Sequence, residues 1–291
     1  MQGLEELIYS VLKDDVVLSA KMADYNGQPA IFELNAPADT DPGWSEIQYP
    51  RVVYVIDKSE NPERKVNGTL AIDIAITNTA AEGPETIEAR VRELLSNAFY
   101  EPSGEPPAAL VWNQTNPFEA DDETIGVTMI FDMIAFPEQR THSPDVILAL
   151  ESWVKAKITG AQLVNRTPVA PYHWKPTGAT PAVYWRSVNI RTDQITNAVV
   201  WLNMTINGHV FAPTPTERLP IIRKIVETLA LDAYIYLADG SPATIQTVAA
   251  DSNRDPHRDG QISLTVRFGI LKPEASAIIL NYADFGSIGG A

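Results

Sequence analysis

Two proline-led apolar runs, "YPRVVYVID" at 49–57 and "TPAVYWRSV" at 180–188, constrain this chain more than any other feature. In the first, Val52, Val53, Tyr54, Val55 and Ile56 follow one another without a polar break, which predicts a strand covered on both faces. Pro50 has no amide to give a sheet ladder, so it marks the strand's mouth, as Pro181 does for the second run. Either two ordinary domains happen to share this device, or one unit was used twice.

The flanking segments favour the second alternative. Leu4, Leu7, Ile8, Val11 and Leu12 recur at the spacing of one helical stripe. "HSPDVILALESWVKAKI" repeats the device, with Ser143 as the expected N-cap, Pro144 at the first helical position, and Val146, Ile147, Leu150 and Val154 as the stripe. After each proline-led strand comes another. "VNGTLAIDIAITN" alternates Leu70, Ile72, Ile74 and Ile76 on one face. "NAVVWLNMTINGHVF" carries Val199, Trp201, Leu202 or Met204, and Ile206, and runs into Asn207-Gly208, a hairpin signal.

A second amphipathic helix follows in each half. The first has Pro84 at its entrance and Ile87, Val91, Leu94 and Leu95 inward; the second has Thr216 as expected cap, Pro220 near its first turn, and Ile222, Ile225, Val226 and Leu229 inward. Each half closes on a strand pair, "AALVWNQ" with "ETIGVTMIFDMIAFP" and "ATIQTVAAD" with "GQISLTVRFGILKP". The expected fold class is α+β: two tandem domains of similar topology, each a mainly antiparallel sheet packed against two helices. The boundaries are 1–139 and 144–273, joined at "PEQRTHSP", with 274–291 as a C-terminal arm. A strand like "VVYVI" that wants cover on both faces must take the second covering from the other domain or another subunit.

At 291 residues, 45% apolar and 20% charged, the chain is long enough for two cores. It has no cysteine, which excludes disulfides, thiolate metal sites and cysteine nucleophiles. The opening "MQGLEELIYSVLKDD" is acidic and interrupted by polar residues, so neither a secretory leader nor a membrane segment is expected, and synthesis in a cytoplasm is the default. The net charge of −15 is uneven: residues 1–142 hold 25 Asp and Glu against 9 Lys and Arg, and the remainder is nearly balanced. A surface of that sign serves solubility and opposes sequence-specific nucleic-acid binding.

Catalytic, cofactor and metal constellations are not expected. His142, His173, His209 and His257 are scattered and read as solvated loop residues. "DSNRDPHRDG" at 251–260 gathers Asp251, Asp255, His257 and Asp259, but two arginines, a proline and the lack of a closing glutamate fit a long hairpin loop better than a calcium site. Asp255, His257 and Arg258 are its candidates for touching a partner. "DDETIG" at 121–126 and "DGSPATI" around Ser241 read as turns. Trp112, Trp153, Trp185 and Trp201 fall on strands or helical stripes as core residues. Trp44 and Trp174 each stand in a proline-bearing loop before a proline-led strand, either as interface anchors or tucked over their own sheets. Tyr282 and Phe285 in the apolar tail dock on this chain or on a neighbour.

The succession "LEELIYSVLKDD", "YPRVVYVID", "GTLAIDIAIT", "PETIEARVRELLSNAFY" and "IGVTMIFDMIAF" resembles the tail-terminator (tail-completion) proteins of tailed bacteriophages. The likeness covers 1–137 continuously and 144–273 in the same order, and departs from the family in being tandem. It implies a non-enzymatic structural virion protein, made in the host cytoplasm, that forms a ring ending the tail tube and joining it to the head. The implied partners are further copies of itself (a hexamer, or a trimer with pseudo-sixfold symmetry), the tail tube protein, and a head–tail connector or neck protein. DNA would pass through the lumen, and the acidic domain lining it would keep the duplex from sticking. A neck adaptor or baseplate component of the same virion is the alternative, and a carbohydrate-binding or hydrolytic tail protein the alternative of another class.

Overall fold

The computed structural model describes residues 2–59, 66–140 and 143–273. The first half contains α1 (Leu4–Lys13), α2 (Val16–Ser19), β1 (Asp24–Tyr25), β2 (Gln28–Pro29), β3 (Ile31–Glu33), β4 (Arg51–Lys58), β5 (Gly68–Thr77), α3 (Pro84–Leu95), β6 (Phe99–Tyr100), β7 (Ala108–Glu119) and β8 (Thr124–Ala135). The second contains α4 (Val146–Lys157), β9 (Gln162–Leu163), β10 (His173–Trp174), β11 (Ala182–Ile195), β12 (Val199–Phe211), α5 (Pro215–Asp232), β13 (Tyr234–Tyr236), β14 (Pro242–Ala250) and β15 (Ile262–Leu271). The protein is therefore α+β with mostly antiparallel sheets.

The larger sheets have the strand orders β10-β6-β7-β8-β5-β4-β3 and β13-β14-β15-β12-β11-β9. Each carries one parallel pair, β3 with β4 and β9 with β11, at the same end. Each also has a register shift in its penultimate long strand, between Trp112 and Gln114 and between Ile245 and Thr247.

Period-two alternation builds the inner face of the first sheet: Val52, Tyr54, Leu70, Ile72, Ile74 and Ile76 are all buried. Onto it pack the stripe of α1 and the Ile87, Val91 and Leu95 face of α3. The second sheet does the same, with Val183, Trp185, Met204, Ile206, Leu264 and Val266 beneath α4 and α5. Each fully buried aliphatic side chain contributes about 1.5–3 kcal/mol, so these two layers carry most of the folding free energy.

Several expectations are corrected. Among the described residues the strand at 51–58 has one fully covered face and one partly covered, since Val53 is half-buried and Val55 is 38% exposed. Its counterpart does have two covered faces: Ala182, Val183, Tyr184 and Trp185 are all buried. The cap of α4 is Asp145, not Ser143; its carboxylate accepts the Ile147 and Leu148 amides, an acidic group favoured at the positive end of a helix. Thr214 rather than Thr216 caps α5, through a capping box with Glu217, which leaves Pro220 inside the helix in its second turn.

Asn207-Gly208 is not a turn, because β12 continues through it to Phe211. The glycine leaves room for the Trp185 indole, which a Cβ there would meet at 2.5 Å. Close cross-strand packing, not turn chemistry, places this glycine. Gly208→Ala is predicted to lower stability by about 1–3 kcal/mol in urea unfolding, and an unchanged midpoint would contradict this packing role.

Candidate functional site

The two halves meet through the sheet faces turned away from their helices. Alternation puts Ala182 and Tyr184 opposite Val183 and Trp185, and Ala109 and Ile134 opposite Leu110 and Met133. With Phe99, Phe136, Val164 and Phe211 they form one buried cluster drawn from both sheets. Phe99 sits at its centre, with ring centroids 5.4 Å from Phe136 and 5.0 Å from Phe211, both edge-on. Trp174 stacks on Phe99 at 5.0 Å. Edge-on and offset contacts of this kind add about 0.5–1.5 kcal/mol beyond area burial.

A strand of the second half completes the first sheet. His173 and Trp174 pair with Tyr100 and Phe99, so β10 is the edge strand beside β6. Glu101, next to β6 and 2% exposed, fixes the approach. Its carboxylate accepts from Arg166 Nε (2.9 Å), Trp174 Nε1 (2.7 Å) and the Val169 amide (3.4 Å), while its own amide donates to the Tyr172 carbonyl at 2.7 Å. The Arg166 guanidinium lies 4.8 Å over the Trp174 ring. A buried carboxylate is tolerated when its lone pairs are filled in this way.

The 251–260 loop makes the second bridge. Arg258 donates to Asp255 at 2.8 Å and to Asp132 on the first sheet, and Asn113, at the bulge of β7, donates to the other Asp132 oxygen at 3.0 Å. Burial by itself would raise the Asp255 pKa, but bonds from the Arg258 and His257 amides and the Arg258 guanidinium hold it below the usual carboxylate range. Burial likewise works against the Arg258 charge and is outweighed by Asp255 and Asp132, which raise its pKa. Gln261 closes the loop as a peptide mimic, its buried amide accepting from the Val210 N–H and donating to the Val210 carbonyl, both at 3.0 Å.

The histidines correct the sequence reading. His209 lies in β12, 1% exposed, and its Nδ1 is 2.7 Å from the Pro256 carbonyl. His257 is buried 5.1 Å from Phe211. Burial pushes both pKa values down to about 4. His173 is half-buried in β10, and burial lowers its pKa too. His142 lies outside the described residues.

Of the candidate interface residues, Trp174, Asp255, His257 and Arg258 come together here, at a junction within one chain. Trp44 does not join them. It is 8% exposed against Tyr25 and Phe32, with its indole N–H on the Ala38 carbonyl at 2.9 Å. Tyr282 and Phe285, with the rest of the arm, lie outside the described residues. The sequence reading missed Glu101, Phe136 and Phe211. The unbroken apolar run Met133–Phe136 carried the signal for two-sided cover, since all four residues are buried.

Beside the junction lies a cleft of about 640 Å³, walled by α3, β7, the segment after β10, the end of β12, α5 and the 255–257 turn. Ser96, Asp255 and His257 line it. They form no relay: Asp255 Oδ1 takes the His257 and Arg258 amides and stands 3.9 Å from His257 Nδ1, and Ser96 Oγ has no hydrogen-bond partner. Among the described residues no three His, Asp or Glu side chains gather closely enough to hold a metal ion, and no helix is long and apolar enough to cross a membrane. No family model matches the chain, and no curated protein does.

Two predictions follow from the junction's charges. Glu101→Ala strands the Arg166 guanidinium and the Trp174 indole, so it should cost about 3 kcal/mol and open 165–176 to proteases in limited digestion. Protection equal to that of the wild type would remove Glu101 from the account. His209 and His257 ionise near 6.5 when unfolded and about 4 when folded, so the unfolded chain binds more protons between those values. Stability is then full above pH 6.5 and falls towards pH 4, by about 3 kcal/mol per ring. Urea unfolding across that window should show the loss, with a smaller slope in His257→Asn; the same slope in both proteins would contradict the assignment.

Proposed function

We propose that the chain is a structural virion protein, a tail-terminator-like subunit in which one α+β unit is duplicated in tandem. Copies close into a ring at the end of a phage tail tube or neck, and that ring ends the tail and joins it to the head. Duplication is supported by the matching strand orders, the parallel pair at the same end of each sheet, and the shared bulge position. It accounts for the two proline-led runs.

The observation that carries the ring reading is the edge of β11, most of which has no strand partner among the described residues. Only Ala182 and Val183 of this strand pair with β9, and from Asn189 to Ile195 every residue is exposed, including Ile190 at 42% and Ile195 at 65%. A long exposed edge bearing apolar groups is prone to uncontrolled pairing, and cover by another molecule is one way a protein prevents it. Closure into a ring gives each such edge one defined neighbour. The resemblance of the element order to tail terminators supplies the rest of the reading, including the tube and neck partners.

Negative-stain images and mass photometry of the full chain test this directly. Closed rings of six chains, or of three with pseudo-sixfold symmetry, are expected. A monomer at micromolar concentration would overturn the reading. Virions made without the protein should show overlong tails or unjoined heads and tails, whereas complete particles that fail to adsorb would place it in the baseplate.

A further inference from the structure

One surface of the first half is buried because the second half covers it. Phe99 of β6, Ala109 of β7, and Ile134 and Phe136 around the end of β8 lie in the junction cluster with Tyr184 and Phe211. The second half carries a matching surface. Strand order sets β13, β14 and β15 against β6, β7 and β8, and the bulges after Trp112 and Ile245 fix the register. Counting back from each bulge matches Ala109 with Pro242, and these pair with Phe99 and Tyr236. Trp112 faces Phe131 and Ile245 faces Val266, so counting on along the next strand matches Ile134 with Gly269 and Phe136 with Leu271.

The inward residues agree with this register, since Leu110 and Met133 in one half and Ala243 and Phe268 in the other are buried beneath helices. The outward ones differ. Tyr236 is 64% exposed, Leu271 is 77% exposed and Pro242 is exposed, where Phe99, Phe136 and Ala109 are buried. Beside them is a hollow of about 440 Å³ whose lining includes Trp201, Pro242, Gly269 and Leu271. Large apolar groups gathered around a hollow mark an interaction surface.

The covering surface has a counterpart as well. Counted from Pro181 and Pro50, Tyr184 of β11 matches Val53 of β4. Their inward neighbours Val183 and Val52 are buried and pair with Leu163 and Ile31 through the parallel strands. Tyr184 is buried in the junction, whereas Val53 is half-buried. Beside it Val55 and Leu34, whose amide donates to the Tyr54 carbonyl at 2.9 Å, are exposed.

We propose that the corner at Tyr236 and Leu271 of one copy docks on the β4 face of a second copy, around Val53, Val55 and Leu34. The contact between chains repeats the one that joins the two halves within a chain, as repeated units bury their open faces on their neighbours. Corner and face are different surfaces, so the contact is head-to-tail and propagates until it closes. A ring so built alternates the two units, and its pseudo-sixfold form needs three chains. The inference rests on the tandem ring reading and names the contact that closes the ring.

Sedimentation velocity of full chains tests it. Tyr236→Glu with Leu271→Glu, and separately Leu34→Glu with Val55→Glu, should each weaken assembly about tenfold or more, because each puts charge into an apolar contact. Mixed together, the two variants should form dimers that grow no further, since one intact corner then meets one intact face. Tyr236→Ala with Leu271→Ala, checked for native circular dichroism, should weaken assembly less than the charged pair and guards against misfolding. A wild type whose assembly ignores both charged variants overturns this contact and leaves the ring reading standing, the corner then being covered by another occupant such as residues 274–291. Dimers of the Leu34→Glu, Val55→Glu chain alone would mean that corner meets corner, and a mixture that does not pair would mean that corner and face do not meet; either overturns the assigned occupant. A wild type that never assembles overturns both the contact and the ring.

Discussion

Packing of the two sheets back to back, around Phe99, is the constraint on which the rest depends. Each half buries one sheet face under its helices, and the other face is left to find cover. At the corner where Ala109, Ile134 and Phe136 meet Ala182, Tyr184 and Phe211, each half supplies that cover for the other. The polar bridges at Glu101 and Arg258 lie beside this apolar contact and fix its register.

This arrangement distributes exposure unevenly. The ends of β7, β8, β11 and β12 near the junction are covered, while the far parts of β7 and β11 project with half-exposed and exposed residues. The bulges at Asn113 and in β11 fall where the strands leave the covered region. An extra residue bends a strand and increases its local twist, so the projecting hairpins diverge from the common core. The surfaces offered to other molecules are thus set by where the internal contact stops.

Much of the fold was legible because helix and strand periodicity are local signals. The stripe of α1, the alternation of β5 and the inward faces of α3 and α5 fall where the spacing puts them. Caps were legible to within two residues: Asp145 and Ser143, or Thr214 and Thr216, differ only in which side chain reaches the free amides. Two-sided cover of "VVYVI" was expected from the unbroken apolar run and is incomplete, because Val53 is half-buried and Val55 is 38% exposed. The site was less legible. Glu101, Arg166 and Asp132 are ordinary charged residues in sequence, and only the long-range pairing of β10 with β6 and the seating of the 251–260 loop bring their partners to them. His209 looked like a loop histidine because Asn207-Gly208 imitates a turn; its strand is set by pairing with Tyr184.

If the junction unites the halves, they unfold together. Native-state hydrogen exchange measures this most directly by comparing the Glu101 amide, bonded across the junction to Tyr172, with core amides such as Ile72 of β5 and Ile206 of β12. The account predicts one opening free energy and one denaturant dependence for all three. Exchange of Glu101 through a small local opening, with the two sheets opening at different free energies, would contradict it.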